Sequence, residues 1–142
     1  MLKTSKKYTR TKKLLKADLT KKSSRWKYKT RYIDIKKYFA MINELVFDNK
    51  LSPFNKVYLK QMRNGTMGQV ITYDWERRGT REYELHMLPF YEDKQEFANT
   101  LAHEMVHLYQ MTWMKDPYSN HNANFFAWRG KFKSAGLNLS RC

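Results

Sequence analysis

The chain has 142 residues, about one domain, which is long enough to bury a core around a helix pair and a small sheet. Its formal net charge of +15 is uneven: residues 1 to 31 hold 13 Lys/Arg against the single acid Asp18, leaving about +3 for the other 111 residues. Cys142 is the only cysteine, which excludes a disulfide framework and a Cys-based zinc site. The first 30 residues have no apolar signal-peptide core and no apolar run approaches 18 residues, so secretion and membrane spanning are not expected. The expectation is an intracellular protein without a membrane partner.

Residues 1 to 31 read as a basic, flexible arm in which Lys and Arg alternate with Thr, Ser and the aromatics Tyr8, Trp26 and Tyr28. Leu14, Leu15 and Leu19 suffice for one short amphipathic turn on a partner, and no helix is assigned there. The ordered domain, 32 to 142, then opens near Ile33, where Ile35, Phe39, Ile42, Leu45 and Val46 recur at helical spacing and Asp34 favours the helix start. Ser52 and Pro53 place its end near Asn49.

Next, KVYLKQM (56 to 62) alternates apolar and polar residues, and Asn64-Gly65 supplies a hairpin-type turn into MGQVITY (67 to 73). A second turn region around Gly79 leads to REYELHML (81 to 88), where Tyr83, Leu85 and Met87 share a face. Three short strands in succession predict a mostly antiparallel meander. Pro89 stops the third strand, and Asp93 with Glu96 forms a capping box for the next helix. Phe97, Leu101, Met105 and Leu108 give that helix a buried stripe, and it is expected to run to about Met114. After a turn-rich loop from Asp116 to Asn122, the residues Phe125, Trp128, Phe132 and Ala135 mark a last helix with Gly136 as its C-cap. The predicted order α, β, β, β, α, α is that of an α+β domain.

The chemistry is concentrated in LAHEMVHLYQ, residues 101 to 110. On a helix His103 and His107 lie four residues apart and project from one face, where two imidazoles can grip one zinc ion. Glu104 sits about 100° round from His103, within reach of a water there without being a ligand. A catalytic zinc site takes three protein ligands and an open position. His121, 14 residues after His107 and beyond a loop able to return over the metal face, is the better third ligand. No glutamate follows the motif to compete, and His86 reads as a polar strand residue or at most a substrate-cleft residue. With that ligand set zinc acidifies water, Glu104 acts as general base, and peptide-bond hydrolysis is the natural reaction. An exposed strand edge near the site offers an extended substrate a place to pair.

LAHEMVHLYQ, followed by a loop and then HNANFFAWRGKFKSAGLN, resembles the SprT-like domain shared by bacterial SprT proteins and Spartan-type DNA-protein crosslink proteases. The resemblance runs from about Ile33 to Leu139. It implies a zincin-like fold with an N-terminal helix, a small three-stranded sheet, an H-E-x-x-H helix and a C-terminal helix. It also implies one catalytic Zn2+ on His103, His107 and His121, and Glu104 as the catalytic glutamate. Family members usually follow the third histidine with glycine and soon an acidic residue, where this chain has Asn122 and Asn124, and many carry a Cys-rich ribbon that is not seen here. The implied function is a zinc-dependent endopeptidase, monomeric, acting on DNA-bound proteins. Nucleic acid would be held by the arm, with Lys12, Lys13, Lys21, Lys22, Arg25, Lys27 and Lys29 on phosphates and Trp26 or Tyr28 stacked on bases. The alternatives are a non-proteolytic DNA- or RNA-binding protein with a structural zinc, and an assembly protein that keeps only the fold.

Overall fold

The structure, a computed structural model, describes residues 6–20, 27–75, 80–114 and 123–139. Ordered structure begins well before Ile33. Helix α1 (Lys6–Thr20) carries six Lys/Arg and one acid, yet Leu15 is completely buried in the core and Tyr8 and Leu19 pack against it. Three apolar residues at helical spacing are too few to announce a helix by periodicity, and this one is held by docking on its neighbours rather than by propensity. Asp18 supplies the polar part of that docking: it accepts from the Tyr38 hydroxyl and pairs with Lys94 Nζ at 3.3 Å.

Strand β1 (Tyr28–Lys29) pairs antiparallel with β5 (Phe90–Tyr91), and Thr30 extends the join with N–H to Pro89 O at 2.9 Å and Oγ1 to Leu88 O at 2.7 Å. The described parts of residues 1–31 are therefore built into the domain, where the sequence reading has a flexible arm. Helix α2 (Tyr32–Phe47) buries Ile35, Phe39, Ile42, Leu45 and Val46 as their spacing requires. It stops where Asp48 and Asn49 turn left-handed, and Asn43 ties the exit down with Nδ2 to Leu51 O at 2.9 Å and Leu51 N–H to its Oδ1 at 3.1 Å.

The three expected strands form, as β2 (Lys56–Leu59), β3 (Gly68–Trp75) and β4 (Thr80–Met87), but not as a meander. Their order is β2-β4-β3, with β3 and β4 antiparallel and β2 parallel to β4. The Asn64-Gly65 turn is real: both residues have positive φ and Thr66 N–H closes on Arg63 O at 3.1 Å. It turns a connection rather than joining paired strands. Burial explains the change of order, since β4 is buried on both faces, with Leu85 and Met87 inward and Glu84 and His86 outward, while β2 alternates in the manner of an edge strand.

Helix α3 (Lys94–Thr112) lies across α2 and the inner face of the sheet, with Phe97, Leu101, Met105 and Leu108 buried as expected. Asp93 caps it by accepting from Glu96 N–H at 2.8 Å, while Glu96 Oε1 reaches back to Glu92 N–H at 3.3 Å, one residue earlier than a standard capping box. The expected last helix is broken into α4 (Ala123–Phe126) and α5 (Arg129–Ser134). The break lets Phe125 face α3 while Trp128 turns onto Phe47 and Tyr109, each at 4.8 Å. Gly136, at φ 84, ends α5 as its composition predicts. No described helix is long and apolar enough to cross a membrane.

Candidate active site

His103, Glu104 and His107 all project from α3, a helix anchored along its whole apolar stripe, so the site's geometry is inherited from the core. His103 and His107 place their Nε2 atoms 3.2 Å apart. Two nitrogens on one tetrahedral zinc, each about 2.0–2.1 Å from it, stand about 3.3 Å apart, so the pair has the separation that shared coordination demands. The Glu104 Oε2 atom lies 3.8 Å from His103 Nε2. His103 and Glu104 are only 4 and 3 % exposed, and the ring of Phe125 from α4 packs on both imidazoles, at 4.8 and 5.0 Å.

Burial pushes the Glu104 carboxyl up to about 8. A carboxyl kept out of water resists ionisation unless a cation stands beside it, and the imidazole pair is where one would stand. Among the described residues no third His, Cys, Asp or Glu joins the pair to complete a metal-binding group. His121 lies outside the described residues, two positions before α4, the element that sets Phe125 against both histidines.

His86 is on the opposite face of the sheet. Its Nδ1 is 3.0 Å from Gln69 Nε2 and its Nε2 is 3.0 Å from Glu84 Oε2, so it is a strand residue in a buried polar network and not a cleft residue. Lys12 and Lys13 lie on α1, Lys27 pairs with Glu92 at 3.3 Å and Lys29 is exposed on β1. Lys21, Lys22, Arg25 and Trp26 lie outside the described residues. Tyr28 has its ring 4.8 Å from Phe97 and its hydroxyl on Asp34 at 2.5 Å, so it belongs to the packing of the domain rather than to an exposed stacking surface.

Two site neighbours escape a reading by motif. Gly68 begins β3 directly against Glu104, and Tyr91, completely buried, donates to Met67 O at 2.6 Å and accepts from Leu88 N–H at 3.0 Å. The only sequence signal for the first was a glycine opening a strand, which marks a close approach as readily as a turn.

No curated protein and no solved structure matches this chain. The family model described as SprT-like does match it, over residues 35–142, from the first turn of α2 through both histidines to the end. That span takes in the helix, sheet and α3 described above, and the chain belongs to the SprT-like family.

Proposed function

We propose that the protein is a zinc-dependent endopeptidase that cleaves nucleic-acid-associated proteins, with zinc held by His103, His107 and His121. The observation that carries the reading is the pair of Nε2 atoms at 3.2 Å with a buried carboxylate 3.8 Å from one of them. When bound, zinc would supply Lewis acidity toward water and a scissile carbonyl. Glu104 takes a proton on its carboxylate from the attacking water and delivers it to the departing amine. The buried walls around it keep bulk water from competing for that proton, and the packing of Phe125 holds the imidazoles in their rotamers. Strand β3, an edge of its sheet beside α3, offers backbone pairing to an extended segment of substrate.

The test is incubation of the zinc-loaded chain with histones, free and on duplex DNA. Wild type produces fragments; Glu104→Gln retains zinc and its unfolding temperature but loses cleavage by at least about a hundredfold, the scale of a lost general base. Fragments that persist unchanged in Glu104→Gln would refute the mechanism.

The basic face of α1 favours a second reading, in which the chain binds DNA or RNA around a structural zinc without cleaving anything. Lys6, Arg10 and Lys13 are exposed and recur at helical spacing, a fixed row of cations rather than a loose tail. Salt-sensitive DNA binding that survives Glu104→Gln in a chain that never yields fragments would favour it.

A further inference from the structure

Three glycines show what kind of constraint each position carries. A side chain at Gly65 would meet nothing within 4 Å, and its φ of 69 explains it by conformation; Gly130 also faces open space. Gly68 is different. It has no positive φ, but a Cβ there would stand 2.9 Å from Thr100 Cγ2, 3.3 Å from Glu104 Cγ and 3.4 Å from Glu104 Oε2. The first approach is closer than real Cβ atoms come, and the second is tight enough that Glu104 must yield by a few tenths of an ångström.

Neither backbone is free to retreat. Gly68 is in register with Met87 of the buried central strand, and the residue before it is held through its carbonyl by the Tyr91 hydroxyl at 2.6 Å. On the other side α3 is pinned by Phe97, Leu101 and Met105, all completely buried. A displacement forced between the two elements therefore falls on side chains, and that of Glu104, met first at its Cγ and so moved together with its carboxylate, is one of the two in its path.

We propose that Gly68 is a positioning residue: its bare backbone leaves the space that sets the Glu104 carboxylate in place beside the His103–His107 pair. The inference rests on the peptidase reading of that site. It gives the opening of β3 two tasks, since the strand that borders the substrate side of α3 also fixes the general base.

Three variants, Gly68→Ala, Thr100→Ser and the double variant, separate this from plain packing. Thr100→Ser removes the methyl group that clashes but keeps the hydroxyl that donates to Glu96 O at 2.8 Å. Each is measured for unfolding temperature, zinc content, kcat and KM on histones bound to duplex DNA, and for the visible spectrum of the cobalt(II)-substituted protein. Gly68→Ala is expected to lower kcat about tenfold with KM within about twofold, because small misplacements of a reacting group are costly. It also shifts the cobalt bands. The double variant recovers the unfolding temperature but neither kcat nor the spectrum, since the crowding of Glu104 persists; Thr100→Ser alone matches wild type. Recovery of kcat and spectrum in the double variant would overturn the proposal in favour of packing against Thr100, as would a Gly68→Ala protein identical to wild type. If wild type binds cobalt but cleaves nothing, the peptidase reading falls alone, and the spectra still decide the role of Gly68.

Discussion

The hydroxyl of Tyr91 is shut away from solvent and has three hydrogen-bond partners: the carbonyl just before Gly68, the amide just after β4 and, more distantly, Met87 Sδ at 3.6 Å. Burial pushes its ionisation well above the ordinary tyrosine range, so it stays a neutral donor at every relevant pH. Tyr91→Phe leaves the half-buried Met67 carbonyl and Leu88 amide without this partner, and the loss of the two bonds costs about 1–3 kcal/mol in all. The expected outcome is a lower urea midpoint with an unchanged denaturant slope; an unchanged midpoint would mean that water or a neighbour replaces the hydroxyl. The same logic ranks the site residues. On the peptidase reading, substitutions at the buried His103 and Glu104 act on chemistry or metal, whereas those at Tyr91 and Gly68 act on where that chemistry is held.

At the scale of elements, α1 is the departure from the sequence reading with the most practical weight. Its anchor is Leu15 in the core together with Asp18, whose carboxyl feels burial pushing it up but is pulled below its ordinary value by the Tyr38 hydroxyl and the Lys94 ammonium. A depressed carboxylate means the folded state binds fewer protons than the unfolded one, so stability rises with pH across the interval between the two values. The contribution of Asp18 is fully present above the unfolded value of about 3.9 and is lost as pH falls through the lower folded value. The difference in unfolding free energy between wild type and Asp18→Asn should hold constant from neutral pH to about 4.5 and then shrink. A difference that grew in acid would contradict the pairing. Removing residues 1–31 would take Leu15 and strand β1 with it, so deletion is the wrong way to ask what the basic segment binds.

That question belongs to the whole molecule. A net charge of +15 makes attraction to polyanions general, but α1 concentrates part of it on one rigid face. Replacing Lys6, Arg10 and Lys13 together with Gln leaves the buried face of α1 untouched. It should reduce the salt dependence of DNA binding by up to about three in log–log slope, about one for each phosphate that is no longer neutralised. The check is a titration of labelled duplex across salt concentrations, together with an unfolding curve. An unchanged slope with an intact fold would remove α1 from the nucleic-acid surface. On the peptidase reading, the same variant should cleave free histones as wild type does and lose its advantage on DNA-bound ones.

How much of this was legible beforehand depended on whether a feature is local. Spacing alone marked α2, α3 and the three strands, because a 3.6-residue or 2-residue period of apolar side chains is written into consecutive residues. The same holds for His103, Glu104 and His107, which a single helix brings together, and for the Asn64-Gly65 turn, whose two positive φ angles need only those two residues. What the sequence did not settle was which strand sits between which. The place of β4 at the centre depends on burying both of its faces, including Glu84 and His86 in a mutual network that no local pattern requires. Nor did it settle the docking of α1, whose three inward residues gain their energy from α2 and α3 rather than from one another. The nearness of Gly68 to Glu104 is of the same kind: 36 positions separate them in the chain, and only the stacking of the sheet on α3 makes the absence of one carbon atom matter to the placement of a carboxylate.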